Sequence, residues 1–271
     1  MDLLSPLFAR FSLSARIFYT GTFCGTADVD DPQGIGILHV LRRGRLRVVR
    51  PSVPSIEITE PSLLFYRQPC PHRFEADASE GADLVCAFID FGAGMGNPLL
   101  RGLPDLLIVP LAEIASAQPT LSLLFDEAFA QRSGREAAID RLVEYFVLLL
   151  LRHAIDTQLV KGGVLAALAD ARLARAMMAM HERPEHAWSL AELARTAGMS
   201  RARFAVNFKA TVGATPLDYL TDWRISVAQT LLKRGKPLKA VAPAVGYASP
   251  VALARVFSRR LGVSAAQWLG K

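Results

Sequence analysis

Two stretches of this chain are imperfect copies of each other, 48 to 49 residues apart. One runs from Leu190 to Leu220, the other from Leu238 to Leu269. Leu190, Gly198, Phe204, Phe208, Gly213 and Leu220 answer to Leu238, Gly246, Leu253, Phe257, Gly262 and Leu269, with a one-residue slip just after the turn. In each copy a short helical pattern, a turn glycine and a second helical pattern follow one another. Ala194 and Ala242 are small enough for two helices to cross closely, and Gly198 and Gly246 allow the turn between them. Phe204 with Phe208, and Leu253 with Phe257, are i,i+4 pairs that pin the second helix to a core. The pattern predicts two helix-turn-helix units, about 190–212 and 238–261.

Charge is divided along the chain. Residues 172–271 carry 16 Lys and Arg against 5 Asp and Glu, whereas residues 1–171 carry 15 against 20. An acidic front and a basic back predict two domains with different partners. A basic domain holding a doubled helix-turn-helix predicts double-stranded DNA as its partner.

A chain of 271 residues is long enough for two cores. Its densest apolar stretch, Leu142–Leu151, contains Glu144 and is flanked by Arg141 and Arg152, so it reads as a buried helix and no membrane partner is expected. The start, MDLLSPLFARF, lacks the apolar region of a signal peptide. Three cysteines without a CxxC suit a reducing, cytoplasmic setting.

The expected architecture is α+β. Residues 20–92 hold short β-type runs at Ile35–Leu41, Arg45–Val49, Ser62–Tyr66 and Leu84–Phe91, with turn signals at Arg43-Gly44, Pro51–Pro54 and Glu80-Gly81. They predict a small antiparallel barrel within residues 1–110. Two helices, Pro119–Arg132 and Arg135–Thr157, fill residues 111–157. The apolar stripe Ile139, Leu142, Val143, Phe146, Leu149 and Leu150 is wide enough to bury. It either completes the core or forms a dimer seam, and Leu148 and Leu151 widen it toward the seam of a homodimer. Residues 158–169 read as a linker and 170–271 as the DNA-binding domain. The helix ends there are well marked: Asp170, Ser189 with Glu192, Ser200, Thr215-Pro216 with Asp218, Ser249-Pro250, and Ser264 with Gln267 are caps. They predict about seven helices.

The Phe and Leu pairs fix which face of each second helix looks outward. The expected base-reading residues are Arg201, Ala202, Arg203 and Val206 in the first unit, and Val251, Ala254, Arg255 and Arg259 in the second. Arg matches guanine O6 and N7, while Ala and Val match thymine methyls. Ser200, Lys209, Ser249 and Arg260 are the expected phosphate contacts. The connecting helix, Pro216 to Arg234, spans about 28 Å. That length can hold two reading heads roughly one DNA turn, about 34 Å, apart.

The segments AGMSRARFAVNFK, VGATPLDYL, WRISVAQTLL and VGYASPVALARVFSRRLGVS resemble, in order and spacing, the AraC/XylS family of bacterial transcription regulators. The resemblance implies a two-unit DNA-binding domain and a regulator of transcription, as activator or repressor, with RNA polymerase as a further contact. Two departures stand out. Ala205-Val206 replaces the family's frequent polar-plus-Arg pair, and Pro243 sits inside a helix, where it removes a hydrogen bond and introduces a kink. The front half, through FCGTADVD, GILHVLRRGRLRV, PSLLFYRQPCPHRF, ADLVCAFIDFG and NPLLRGLPDLLIVPL, resembles the cupin-like sensing domains of one branch of that family.

Cys24, His39, His72 and Cys86 are the candidate sensing residues. Two thiolates and two imidazoles suit a tetrahedral zinc or another divalent ion. Two thiols suit a reversible disulfide. His39 and His72 suit a pocket for a small organic effector. A purely structural role for all four stands beside these, as does a constitutive dimer whose front domain senses nothing. An enzyme is not expected. His39 is followed by Val40 and Leu41 instead of the His-x-His pattern of cupin oxygenases, and GxSxG, P-loop and HExxH patterns are lacking.

Overall fold

The computed structural model describes residues 4–8, 12–30, 35–68, 70–91 and 102–270. The segment NPLLR, cited above for the front-half resemblance, lies outside them. The chain divides into two compact units: residues 11–161, and residues 1–10 together with 162–271.

Among the described residues the first unit has nine strands in two antiparallel sheets. One has five strands: β1 (Ser14–Phe23), β8 (Ala82–Asp90), β3 (Gly36–Gly44), β6 (Ser62–Tyr66) and β9 (Leu106–Pro110), in that spatial order. The other has four: β2 (Gly25–Val29), β7 (His72–Ala76), β4 (Leu46–Arg50) and β5 (Val53–Ile58). Among the described residues the two sheets are not hydrogen-bonded into a closed barrel. Their facing sides share one apolar core of Leu41, Leu46, Val48, Ile58, Leu64, Phe74, Leu84 and Cys86. Strands β3, β6 and β8 are buried almost throughout, which is why they read as continuous apolar runs.

Helices α2 (Gln118–Ala128) and α3 (Arg135–Asp156) pack against each other, and α3 lies on β1. The stripe of α3 is covered by this packing: Ile139, Val143, Phe146, Leu149, Leu150 and Leu151 are all buried. Most of the stripe thus serves the chain's own core, while Leu142 stays half-buried. Of the two residues that widen the stripe, Leu151 is buried within the chain and Leu148 is half-buried. Strand β1 is an edge of its sheet, and α3 closes that edge. The Ile17 N–H donates to Asp140 Oδ1 at 2.8 Å and the Ala15 N–H to Glu144 Oε1 at 3.3 Å. Strand edges left unpaired invite association, so these carboxylates occupy what another chain would use.

The second unit is helical. It comprises α1 (Ser5–Phe8), α4 (Gly163–Ala169), α5 (Ala171–Glu182), α6 (Leu190–Thr196), α7 (Arg201–Val212), α8 (Pro216–Lys233), α9 (Leu238–Ala244), α10 (Pro250–Leu261) and α11 (Ala265–Leu269). Part of the expected linker is thus α4, which packs on α5 and α7 with Val164, Leu165, Ala167 and Leu168 buried. Helix α1 packs on α5, and Leu4 and Leu7 are buried. The caps form as the sequence predicts. Ser189 with Glu192 and Ser264 with Gln267 are full capping boxes, and Asp170, Ser200, Thr215 and Ser249 accept from first-turn N–H groups. Pro243 falls in the last turn of α9, one residue before the helix ends. Its missing N–H would have donated to the carbonyl four residues back, and the helix ends one residue later.

Candidate DNA-reading surfaces and the buried histidine pair

The duplication persists in three dimensions. Helices α6 and α9 are seven residues each, and α7 and α10 are twelve each. Gly198 and Gly246 turn at φ +66° and +78°, and Gly213 and Gly262 end the second helices at φ +82° and +73°. Side chains of other residues rarely adopt such angles. Phe204, Phe208, Leu253 and Phe257 are fully buried. The copies also extend further than the sequence reading took them. Phe208 meets Tyr219 edge-on at 5.7 Å, and 49 residues later Phe257 meets Trp268 edge-on at 5.9 Å. Each recognition helix is thus braced by an aromatic from the first turn of the helix that follows.

With those rings inward, the outer faces are as expected. Arg201, Ala202, Arg203, Val206 and Lys209 on α7 are exposed, as are Val251, Arg255 and Arg259 on α10. Ala254 is half-buried at the edge of its face. Val206 and Val251 are 68% and 69% exposed, more than any other large apolar side chain described. An apolar group left in water on a basic face is explained by a partner that covers it. Arg201, Arg203, Lys209 and Arg255 are in no ion pair among the described residues, so their charges are uncommitted. Ser200 and Ser249 cap the N-termini of α7 and α10 by accepting from the Arg203 and Ala252 N–H groups.

Arg260 differs from the expectation. Its Nη2 lies 2.7 Å from Asp218 Oδ1 and its Nε 3.3 Å from Asp222 Oδ1, so it ties α10 to α8. Residue 260 falls toward the α8 side of its helix, and two carboxylates already neutralise it. Its assignment to a phosphate is therefore corrected.

In the first unit the structure gathers two of the four candidate sensing residues. The Nε2 atoms of His39 (β3) and His72 (β7) are 3.1 Å apart across the space between the sheets. The His72 Nδ1 is 2.7 Å from the Cys70 carbonyl. A carbonyl only accepts, so Nδ1 carries the proton and His72 Nε2 presents a lone pair. His39 Nε2 then donates to it, and His39 Nδ1 is left as a buried acceptor without a partner among the described residues. Tyr66 stacks on His72 at 4.3 Å, and Phe74 meets both imidazoles edge-on at 4.7 and 4.9 Å. The Tyr66 hydroxyl and Arg50 Nε are likewise buried without partners. Burial, and then the neighbouring His72, hold His39 well below the usual imidazole range. Burial also lowers His72, against the Cys70 carbonyl, which raises it.

The cysteines stand differently. Cys86 is the register neighbour of His39 across β3 and β8 and lies in the apolar core, where burial pushes its thiol pKa far up. Cys24 is exposed between β1 and β2, and Cys24, Cys70 and Cys86 are all free thiols. Among the described residues no three of His, Cys, Asp or Glu gather as metal ligands. The set of two thiolates and two imidazoles is therefore not assembled. The 3.1 Å between the two Nε2 atoms is an N–H···N hydrogen-bond distance, so the two imidazoles are joined to each other. The Cys70 carbonyl orients the His72 ring. Arg50, Tyr66 and the Cys70 carbonyl carry no pattern in the sequence that could have singled them out.

Comparison with known proteins agrees with these two halves. Residues 2–156 match the cupin family and residues 193–271 a helix-turn-helix domain. An AraC-like transcription regulator of Streptomyces lividans, itself described as putative, is 36% identical over 196 residues, covering 69% of this chain and 64% of that one. The chain thus spans less than two thirds of the length of that relative. An uncharacterised helix-turn-helix transcriptional regulator of Haemophilus influenzae is 28% identical over 258 residues, covering 87% and 86%. The RCS-specific transcriptional activator RclR of Escherichia coli is 27% identical over 247 residues, covering 88% and 87%. With a domain that belongs to the cupin family in front and a helix-turn-helix domain of two capped units behind, the chain is similar to bacterial regulators named AraC-like.

Proposed function

We propose that this chain is a one-component transcription regulator of the cytoplasm, reading a promoter site through α7 and α10 in two successive major grooves. The observation that carries this is the pair of matched, solvent-facing helix surfaces. Each is apolar at one position and cationic beside it, and each rests on a rigid aromatic base. Its relatives are named as regulators of transcription rather than enzymes, which supports a binding role. The test is selection of bound sequences from a random duplex library by the full-length protein, followed by affinity measurement across salt. Expected are two short half-motifs about one turn apart and a log–log salt slope of about −0.9 per phosphate neutralised. Recovery of no paired motif, or a flat salt response, overturns the reading.

For the signal, exposed Cys24 and buried Cys86 are poorly placed for a disulfide with each other, which leaves the hydrogen-bonded pair His39–His72 between the sheets as the candidate for a divalent metal or a small effector. Bound zinc would supply a Lewis acid that ties β3 to β7. His39 and His72 would hold it, and water would complete the shell. Metal content after loading with zinc and desalting tests this. About one ion per chain, lost in His39→Gln and His72→Gln and kept in Cys24→Ser and Cys86→Ser, is expected. Metal kept in both histidine variants, or none in the parent, refutes it. An organic effector, RNA polymerase and a second copy of the chain are the other partners such a regulator would meet.

A further inference from the structure

The two reading heads are copies, but the arginine beneath each turn is used differently. Arg175 on α5 and Arg224 on α8 stand 49 residues apart, the period of the repeat. Each guanidinium lies under its turn glycine. A Cβ placed on Gly198 would lie 3.3 Å from Arg175 Nη2, and one on Gly246 would lie 2.8 Å from Arg224 Nη2. Arg175 donates to the carbonyls of Thr196 (3.3 Å) and Ala197 (3.1 Å), which end α6 of its own head. Within the repeat, the matching acceptors for Arg224 would be Ala244 and Val245. Arg224 instead donates from Nε to the Pro184 carbonyl and from Nη2 to the His186 carbonyl, both at 2.7 Å. Those carbonyls lie between α5 and α6, in the first head. The carbonyl between them, Glu185, would lie 2.8 Å from a Cβ on Gly246. The guanidinium also sits 5.7 Å from the Tyr247 ring, just past the second turn.

One half-buried side chain therefore joins the turn of the second head to the loop that precedes the first. We propose that Arg224 is a positioning residue that fixes the distance and angle between the two reading heads, and so sets the half-site spacing the protein accepts. This rests on the DNA-binding reading above. The physical basis is the rigid fork of the guanidinium, which holds two acceptors at once, whereas a lysine ammonium is a single point on a flexible stem. Other ties hold different joints. His181 stacks on Trp223 at 3.8 Å and holds α8 to α5, and Arg260 holds α10 to α8. Neither reaches the second turn. A one-base-pair change in spacing moves a half-site by about 3.4 Å along the axis and by about a tenth of a turn around it. A fixed pair of heads cannot follow that shift, and a loosened pair can.

The experiment is parallel selection from a random duplex library by the full-length parent, Arg224→Lys and Gly246→Ala. Affinity is then measured on the selected site with one base pair inserted or removed between half-motifs. Gly246→Ala drives a methyl group between Arg224 and the Glu185 carbonyl, so it disturbs the same joint with Arg224 still present. For the parent, one spacing is expected, with about tenfold loss on insertion. The variants should select the same half-motifs at mixed spacings, with the insertion penalty falling to about twofold or less. A general weakening of the fold would lower affinity on every site alike and leave the penalty unchanged. That result overturns the proposal, as does a parent that tolerates the insertion. If either variant fails to fold, the other and the parent's own insertion penalty still decide. A parent that selects no paired motif removes the DNA reading itself, and that outcome is distinct from intact DNA binding with unaltered spacing preference.

Discussion

Arg260 offers a sharp test, because two roles for it predict opposite results. In the structure its guanidinium bridges Asp218 and Asp222, with side-chain exposures of 31% for the arginine and 53% and 47% for the aspartates. Ion pairs this exposed contribute about 0.2–1 kcal/mol each. Two of them, plus mild repulsion between aspartates left four apart on α8, put Arg260→Ala at about 0.5–1.5 kcal/mol of destabilisation. For a helical unit of this size that is a fall in Tm of about 2–10 °C. The DNA salt slope should not change, because the charge is already neutralised within the protein. A phosphate contact would do the reverse: the slope would drop by about 0.9 and Tm would hold. The assay is a melting curve beside fluorescence anisotropy on the selected duplex from about 50 to 200 mM salt, with Lys209→Ala as the comparison expected to lower the slope. A slope reduced by about one unit in Arg260→Ala, at unchanged Tm, would refute the structural assignment.

Arg255→Ala should weaken binding to the selected site by about 1–3 kcal/mol and relax preference at one base position. Equal loss on every sequence would make Arg255 a phosphate contact instead. The lowered pKa values of His39 and His72 predict acid sensitivity. Their contribution to stability is full above the unfolded value of about 6.5 and falls as pH drops below it, by up to about 1.4 kcal/mol per pH unit for each histidine. Melting between pH 8 and 5 should show this in the parent and less of it in His39→Gln, and a profile flat down to pH 5 in the parent would sink it. Exposed Cys24 should react first with a thiol reagent, while Cys86 should wait for unfolding. Simultaneous loss of both under native conditions would contradict the burial of Cys86.

The helical half was legible because its signals are local. A capping box such as Ser189–Glu192, or the cap-and-proline pair Ser249-Pro250, lies within four residues and fixes a helix start whatever surrounds it. The outward faces of α7 and α10 followed from the phenylalanines. In the β half β3, β6 and β8 were found because each contains a buried apolar run, and β4 because its valines follow a turn signal. Strand β1 (SARIFYTGTF) mixes exposed and part-buried positions around a bulge near Tyr19, and β5 (VPSIEI) begins at a proline pair that reads as a turn. Both are half-solvated, so neither concentrates apolar residues. Strands β2 (GTADV) and β7 (HRFEA) mix polar and small residues with few apolar ones, so no apolar run marks them. What escaped in the candidate sites was long-range. Arg260 meets carboxylates 38 and 42 positions away, Arg224 meets carbonyls as distant, and the imidazoles of His39 and His72 converge only once the sheets face each other. The α3 stripe was recognised as apolar, but its width does not tell a neighbour within the chain from a second copy.

Helix α1 gives the chain an awkward anatomy. The helical unit is discontinuous: its first piece, with Leu4 and Leu7 buried and α1 against α5, comes from the far end of the sequence. A truncation that begins at Gly162 would discard that piece and uncover the apolar surface it shields. Such a fragment should be less soluble than its composition suggests, and adding a peptide of the first ten residues in trans should rescue it. The usual route to a crystallisable DNA-binding domain, cutting at the linker, would here remove part of the domain it sets out to isolate.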